Sequence, residues 1–304
     1  MNRLALINKL LMLVLCCGHA VGEHPRPLIV GYLPNYRTAE WSKQIGPMTD
    51  LILFGMSAPT DGVFDPSEVS RQQLALLRQI KSNSRCRVLF TVGGWNKSDG
   101  FAALTSDPEL RNRFIRDARR FCVEHRFDGI DYDWEHPNGA KQVEAYTELI
   151  VQTHAQFADD QLLVTVAQAG WQDLGPMAYQ AVDRIHLMAY DHDFPQATFE
   201  KAQADVNRLL SAGCPRTKIV LGVPFYGRNK AGDARTFAQL AASPSFQENV
   251  AVVDGFALNG PSLISRKAKY VNEQGLGGIM IWEIGQDAVG SKSLLNVLGV
   301  TLQQ

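Results

Sequence analysis

Three carboxylates lie two residues apart in the stretch FDGIDYDWEHP, residues 127–137. Asp131, Asp133 and Glu135 alternate there with large apolar residues, so a strand would carry all three acids on one face. Residues two apart on a strand are separated by about 6.5 Å, which is too close for three carboxylates in one interior to ionise freely. At least one is expected to hold a proton near neutral pH. The spacing therefore predicts a general acid.

Glu135 is the best-placed proton donor, because it lies nearest the carboxyl end of the strand and can reach a leaving oxygen. Asp133 could hydrogen-bond Glu135 or a substrate N–H, and Asp131 could carry the compensating proton or charge. Two alternatives are an edge strand with its acids in water and a Mg²⁺ site. The sequence has no HExxH or CxxC spacing and its 7 histidines are scattered, so we predict no metal site and no cofactor.

Eight short apolar runs alternate with segments of helical period, and this alternation must position the acids. The runs occupy residues 28–36, 50–58, 87–95, 128–135, 162–170, 184–191, 218–227 and 277–285. Helices are predicted over residues 66–83, 107–125, 139–157 and 196–213. Asp107 and Pro108 are typical of a helix start, and Gly213 of a helix end.

This order of elements fits either a doubly wound sheet or a (β/α)₈ TIM barrel. The count of eight and the polar clusters at the carboxyl ends of the runs favour the barrel, whereas no GxGxxG follows the first run. Barrel strands are buried on both faces, so the acids would point inward and their apolar neighbours outward under the helices. With no repeat or linker in the sequence, we predict a single catalytic domain over residues 23–304.

The first 22 residues are typical of a signal peptide. The apolar run LLMLVLCC at residues 10–17 follows two basic residues and precedes small ones. The run is too short to span a bilayer, so we expect a secreted or periplasmic protein that has no membrane association after signal removal. A lipoprotein anchor at Cys16 or Cys17 is disfavoured by the bulk of Leu15.

The composition is that of an ordinary globular protein. The 304 residues include 30 Lys and Arg against 31 Asp and Glu, and this formal charge of -1 favours a neutral substrate over nucleic acid or an anionic membrane. We expect a monomer. The mature chain keeps Cys86, Cys122 and Cys214, which allow at most one disulfide, so the core must supply the stability. Whether Cys86 and Cys122 pair is left open.

Five short motifs resemble those of family 18 of the glycoside hydrolases, the chitinase family. Residues 128–135 match the DxxDxDxE signature of that family. TVGGW, MAYD, PFYGR and MIWE, at residues 91–95, 188–191, 224–228 and 280–283, resemble its SxGG, MxYD, PFYGR and last-strand segments. The resemblance runs in order from VGY at residues 30–32 to Trp282, nearly the whole mature chain. Each motif is weak alone, but five in order on the expected strands are specific.

The resemblance implies a retaining mechanism without an enzyme nucleophile, in which the 2-acetamido oxygen of the sugar attacks instead. Glu135 is then the acid and base, Asp133 orients the acetamido N–H, Asp131 shares the charge and Tyr190 hydrogen-bonds the acetamido carbonyl side. The implied partner is an oligo- or polysaccharide of β-1,4-linked N-acetylglucosamine, that is, chitin or a chitooligosaccharide.

The same resemblance implies a set of substrate-binding residues at the strand ends. Aromatic rings there could stack on sugars, although aromatics in barrels are more often core residues, and polar groups could hydrogen-bond hydroxyl or acetamido groups. The set comprises Tyr32, Trp95, Met188, Asp191, Tyr226, Arg228 and Trp282.

The chain also departs from the family pattern. Thr91 replaces the usual Ser and keeps a hydroxyl, and His136 stands where Tyr is common. About 46 residues separate Arg228 from Gly275, too few for a helix and the full α+β insertion subdomain of many members, so we predict an open groove. Two other functions use the same fold: an endo-β-N-acetylglucosaminidase acting on N-glycans, and a chitin-binding lectin, which typically lacks the acid.

Overall fold

A computed structural model describes residues 26–41 and 44–303, and its centre is a closed barrel of eight parallel strands. The barrel strands are β1 (Leu28–Pro34), β2 (Asp50–Met56), β3 (Arg87–Gly93), β4 (Gly129–Asp133), β5 (Leu163–Ala169), β6 (Arg184–Met188), β7 (Ile219–Pro224) and β12 (Gly278–Trp282). Each falls inside one of the eight apolar runs, and β12 closes the barrel by pairing with both β7 and β1. The predicted TIM barrel is confirmed.

Helices cover the outside of the barrel. They are α1 (Arg71–Asn83), α2 (Phe101–Ser106), α3 (Pro108–His125), α4 (Gly139–Phe157), α5 (Gly175–Ala181), α6 (Phe199–Ser211), α7 (Phe237–Ala241), α8 (Pro261–Gln274) and α9 (Leu294–Leu302). The two helices predicted over 107–125 and 139–157 have nearly those bounds, and the Asp107 carboxylate accepts hydrogen bonds from the first turn of α3.

Two helices begin later than the sequence predicts because side chains cap them further along. Ser70 and Gln73 form a capping box at the start of α1, so the residues before it form only a single 3₁₀ turn at Pro66–Glu68. Likewise, the Thr198 hydroxyl accepts a hydrogen bond from Lys201 N, which starts α6 at Phe199 instead of residue 196.

The alternation on β4 has the predicted orientation. Ile130, Tyr132 and Trp134 are buried among the core residues between the strands and the helices. Trp134 stacks on Phe101 of α2 with ring centroids 5.1 Å apart, which gives that short helix, not predicted from the sequence, its packing surface. Asp131 and Asp133 therefore point into the barrel, where both are buried.

The amino-terminal end of the barrel interior, here called its floor, carries charged side chains, and apolar side chains lie above them. Asp50, on β2, is fully buried and accepts hydrogen bonds from Arg87 Nε at 2.7 Å and Arg184 Nη1 at 2.9 Å. Burial raises the pKa of the Asp50 carboxyl, but the two guanidinium groups outweigh it and hold the pKa below its usual value. The Asp50 carboxylate and the Arg87 and Arg184 guanidinium groups thus form an ionic cluster in which Asp50 pairs with both cations.

The segment between Arg228 and Gly275 is a small excursion from the barrel. Strands β8 (Tyr226–Arg228), β9 (Ala234–Thr236), β10 (Val252–Val253) and β11 (Phe256–Ala257) form a sheet in the order β10-β11-β8-β9 beside the short helix α7. All its pairings are antiparallel, and α8 follows to lead the chain back to β12. As predicted, no full insertion subdomain fits in this part of the described chain.

Two predictions concern the chain outside the barrel and its thiols. The signal peptide predicted at residues 1–22 lies outside the described residues. Within residues 26–41 and 44–303, no helix has the length and apolarity to cross a membrane. Cys86, Cys122 and Cys214 are all buried free thiols, so Cys86 and Cys122 are not joined.

Candidate active site

A cleft of about 1070 Å³ opens at the carboxyl end of the barrel, and the predicted site residues converge on it. Nine of them line it: Tyr32, Trp95, Asp133, Glu135, Met188, Tyr190, Asp191, Arg228 and Trp282. The other two, Asp131 and Tyr226, are buried and contact lining residues by hydrogen bonds. All the predicted site residues therefore lie at one end of the barrel, because the carboxyl ends of parallel strands meet there.

Asp131 lies deepest and has a full set of hydrogen bonds. Its Oδ2 accepts hydrogen bonds from the hydroxyls of Tyr32 at 2.7 Å and Thr91 at 3.2 Å. Its Oδ1 accepts one from Thr165 at 2.6 Å and lies 3.0 Å from His186 Nδ1. The hydroxyl that Thr91 keeps in place of the usual Ser therefore has a hydrogen-bond partner in the site, Asp131. These contacts from four strands hold the Asp131 carboxyl in a fixed position inside the barrel.

Asp133 has the opposite surroundings. It is buried, and within the described part of the chain its Oδ1 has no hydrogen-bond partner. Burial raises the pKa of this carboxyl well above its usual range, and the negative charges of Glu135 and Asp131 raise it further. The Asp133 carboxyl therefore holds a proton more readily than an exposed aspartate does.

Glu135 stands at the rim, with its side chain 16% exposed. Burial raises the pKa of its carboxyl, and the Asp191 carboxylate adds to that rise, while a hydrogen bond from the Trp95 backbone opposes it. Ser98 holds the backbone beneath: its Oγ accepts a hydrogen bond from Glu135 N at 3.0 Å and lies 3.0 Å from the carbonyl oxygen of Asp133. Glu135 is thus an acid of raised pKa on a fixed backbone.

The two glycines after β3 make room for the acids. Gly93 and Gly94 both have φ near +98°, in the left-handed region that favours glycine. A Cβ on Gly93 would collide with the carbonyl oxygen of Asp133, and one on Gly94 would collide with the Phe54 ring. Gly94 N instead donates to the Asp133 carbonyl at 2.6 Å. The double glycine therefore brings β3 into direct contact with the end of β4.

On the opposite wall, Asp191 is the centre of a second polar group. It has φ of 57°, which Asp tolerates better than most residues, and its carboxylate accepts from the Tyr226 hydroxyl at 2.6 Å and from Arg228 Nε at 2.6 Å. Tyr190 lies beside it. Burial, then the neighbouring Tyr226 and Asp133, raise the pKa of the Tyr190 hydroxyl well above its usual value. Tyr190 is therefore a neutral hydrogen-bond donor facing the acids.

The four predicted aromatic residues differ in what they expose. Trp95 is 71% exposed, and Trp282 is half-buried, with its ring edge-on to Phe54 at a centroid distance of 4.8 Å. Tyr32 is 1% exposed and its hydroxyl is bonded to Asp131, and Tyr226 is 5% exposed. Trp95 and Trp282 can therefore offer a ring face to a sugar, whereas Tyr32 and Tyr226 act on the site through their hydroxyls.

Sequence reasoning missed four residues around the acids: Thr165, His186, Ser98 and Trp171. His186 could have been found, because on β6 it shares the inward face with Met188 two residues later. Thr165 follows the same alternation on β5. Ser98 and Trp171 lie in loops, where no period marks them. In residues 26–41 and 44–303, no group of three or more His, Cys, Asp or Glu side chains could hold a metal ion.

Comparison with known proteins identifies the family of the chain. The sequence profile of Glycosyl hydrolases family 18 matches residues 28–287, and the chain belongs to that family. Chitinase 1 of Aphanocladium album is 29% identical over 286 residues, covering 74% of this chain and 67% of that relative. Endochitinase 1 of Metarhizium anisopliae is 26% identical over 284 residues, covering 74% and 66%. The chain thus spans about two thirds of the length of these fungal relatives.

Solved structures show the same fold. A family 18 chitinase of Flavobacterium johnsoniae superposes with a TM-score of 0.80 at 26% identity, covering 91% of this chain and 94% of that one. A chitinase from Bacteroides thetaiotaomicron superposes with a TM-score of 0.83 at 22% identity, covering 91% and 97%. The predicted family and the predicted barrel are both confirmed.

Proposed function

We propose that this protein hydrolyses β-1,4-linked N-acetylglucosamine in chitin or chitooligosaccharides, by a retaining mechanism in which Glu135 is the general acid and base. The observation that carries the proposal is the line of three acids along β4 and just beyond it: a hydrogen-bonded Asp131, an Asp133 with an unpartnered oxygen, and at the rim a Glu135 whose pKa is raised. Relatives named as chitinases support the substrate class.

In the first step, Glu135 protonates the glycosidic oxygen while the bond to the anomeric carbon breaks. Ordinary retaining glycosidases place a second carboxylate about 5 to 5.5 Å away as the nucleophile. Asp133 is buried beneath Glu135 and carries a raised pKa, so it is a poor nucleophile here. The carbonyl oxygen of the substrate's own 2-acetamido group attacks the anomeric carbon instead and forms a cyclic oxazolinium ion.

The chain's own groups stabilise that cation. Asp133 accepts a hydrogen bond from the acetamido N–H through its unpartnered Oδ1, and its negative charge offsets the positive charge of the ring. The neutral Tyr190 hydroxyl donates to the acetamido oxygen. Both groups are preorganised by packing, so little reorganisation is needed when charge develops.

In the second step, Glu135 is a base. It takes a proton from a water molecule, the resulting hydroxide attacks the anomeric carbon, and the oxazolinium ring opens to restore the acetamido group. The two attacks occur on opposite faces of the carbon, so the product keeps the β configuration. A sugar without a 2-acetamido group could not complete this cycle.

The wider setting of the enzyme is part of the proposal. We infer that residues 1–22 direct export, that residues 23–304 form the single catalytic domain, and that the exported enzyme is a monomer acting on a neutral glycan. Trp282 and Trp95 supply ring faces for sugar residues, Asp191 and Arg228 bind hydroxyl or acetamido groups at the rim, and Met188 lines the floor of the cleft.

The test is the product profile of the wild type and of Glu135→Gln on chitotetraose, with detection of the anomer first formed. We expect the wild type to release β-anomeric products and Glu135→Gln to lose about 10²- to 10⁴-fold in kcat, since the amide cannot donate the proton. An initial α anomer would refute the retaining mechanism. Full activity of Glu135→Gln would refute the role of Glu135.

Two parallel assays separate the alternatives. Cleavage of an N-glycopeptide in preference to chitotetraose would identify an endo-β-N-acetylglucosaminidase. Binding of chitotetraose without any cleavage by the wild type would identify a lectin.

A further inference from the structure

The loop between β6 and α6, residues 189–198, forms the wall of the cleft that carries Asp191. The negative charge of the Asp191 carboxylate contributes to the raised pKa of Glu135. A charge acts on its neighbour according to the distance between them. The pKa of Glu135 therefore depends on where this loop holds Asp191.

The backbone of Asp191 needs support in the position that it occupies. Its φ of 57° lies in the left-handed region, which is unfavourable for a residue with a side chain. Its N–H donates a hydrogen bond to Gln196 Oε1 at 3.2 Å, and this bond closes the loop across five residues. The Gln196 amide therefore fixes the backbone direction from which the Asp191 carboxylate projects.

Gln196 is itself held from a distant part of the chain. It is 3% exposed, and the residue after it, Ala197, also has a left-handed backbone with φ of 50°. The Ala197 carbonyl oxygen accepts hydrogen bonds from Asn259 Nδ2 at 3.1 Å and from Lys267 Nζ at 2.9 Å. Both donors are buried and lie 62 and 70 residues further along the chain. The start of α8 and the segment before it thus anchor the end of the loop.

The stability of the fold alone does not account for the Gln196 amide. Its oxygen has the Asp191 N–H as a partner, but its Nε2 has no hydrogen-bond partner among residues 26–41 and 44–303. A buried donor without an acceptor is unfavourable, so an apolar side chain would pack at this position at less cost. The oxygen is therefore the atom that gives the residue its role.

We propose that Gln196 is a positioning residue for the general acid: its amide oxygen holds the Asp191 backbone so that the Asp191 carboxylate stays near Glu135. The inference rests on the proposed function, in which Glu135 is the acid. Gln196 need not touch the substrate to have this effect.

Several other charged or titratable groups surround the two carboxyls. Asp191 contacts Tyr226 and Arg228 of β8 and follows Tyr190, whereas Glu135 has Asp133 beneath it and His136 beside it. Replacement of Gln196 by an uncharged residue removes none of these charges. A change in the pKa of Glu135 would then report a change in the position of Asp191.

The test is the pH profile of kcat/KM on chitotetraose for Gln196→Met, since Met has a similar length but no strong acceptor. We expect the alkaline limb to move to lower pH by about 0.3 to 0.7 unit, because a more distant Asp191 raises the pKa of Glu135 less. The shift should not exceed that of Asp191→Asn. We also expect kcat to fall about threefold to tenfold, because a catalytic group is less well placed.

A double variant separates positioning from a general loss of order. In an Asp191→Asn background the carboxylate is already absent, so Gln196→Met should not move the limb any further. An equal shift in both backgrounds would overturn the positioning role, and so would an unmoved limb in Gln196→Met alone. Either result leaves the proposed function intact. If Glu135→Gln kept full activity, the proposed function would fail, and the positioning role with it.

Gln73→Met is the matched control. Gln73 is 9% exposed, its Oε1 accepts a hydrogen bond from Ser70 N at 2.8 Å, and it does not line the cleft. This variant should lower the Tm but leave the alkaline limb unchanged. If Gln196→Met does not fold, Gln196→Asn decides the question, because it keeps a buried amide but shortens the side chain by one methylene. The same shift of the limb is expected there, and an unmoved limb would overturn the proposal.

Discussion

Ser98→Ala tests whether the loop after β3 positions the acid. The Ser98 hydroxyl lies within 3.1 Å of the carbonyl oxygens of Gly94 and Asp133, and it accepts a hydrogen bond from Glu135 N. Ser98 is 7% exposed, so Ser98→Ala leaves the part-buried Glu135 N–H without that acceptor, at a cost of about 1 to 3 kcal/mol. The Asp133 carbonyl keeps its bond from Gly94 N, so the barrel itself should remain folded.

The loss should appear in catalysis, because the freed N–H belongs to the acid itself. We expect Ser98→Ala to lower kcat about tenfold to a hundredfold with little change in KM, since a small misplacement of a catalytic group costs that much. The assay is steady-state kinetics on an aryl chitobioside, at a temperature well below the measured Tm of each variant.

Ser106→Ala is the control, because it loses one hydrogen bond from a hydroxyl to a backbone carbonyl at an exposed helix end. If Ser98→Ala lowered the Tm but kept the wild-type kcat, its role would be structural only. In that case the positioning argument would be wrong.

Three further predictions concern charge. Asp191→Asn removes a carboxylate that raises the pKa of Glu135, so the alkaline limb of the kcat/KM profile should move to lower pH; an unmoved limb would remove Asp191 as a cause. Asp50→Ala leaves two guanidinium groups unpaired in the floor of the barrel, so urea titration should show a loss of about 3 to 5 kcal/mol. Lys267 is fully buried with a pKa lowered to about 7, so the unfolded chain binds its proton more readily above that pH. Relative to Lys267→Met, the wild type should therefore gain about 3 kcal/mol between pH 6 and pH 9, two pH units above pKa 7 at about 1.4 kcal/mol each, and a constant difference would contradict this.

The fold could be predicted because its signals are local. Each barrel strand is a short run of apolar residues, and burial on both faces leaves few polar interruptions to blur its limits. Helix starts were less certain, because Ser70 and Thr198 decide them through single side-chain bonds that compete with other candidate caps. Helix α2 was missed because its six residues are too few to show a period.

The acids of the site could be predicted for a related reason. Asp131 and Asp133 alternate within β4, so their common face follows from strand geometry, and Glu135 continues the same spacing just beyond the strand. Their partners come from elsewhere in the chain: His186 is 55 residues beyond Asp131, and Ser98 is 37 residues before Glu135. Such contacts depend on the register between strands and on the course of loops, and a local sequence pattern predicts neither.

The surroundings of the three acids bear on which of them holds the proton that their crowding requires. Like-charge repulsion alone requires that the triad hold a proton, but it does not say where. Burial raises the pKa of both the Asp133 and the Glu135 carboxyl, and a neighbouring carboxylate adds to each rise, so these two groups hold a proton more readily than exposed carboxyls do. An acetamido N–H arriving at the unpartnered Oδ1 of Asp133 supplies the missing donor, stabilises its charged form and shifts the proton toward Glu135. Under the proposed mechanism, the substrate group that later acts as nucleophile thus also helps to protonate the acid.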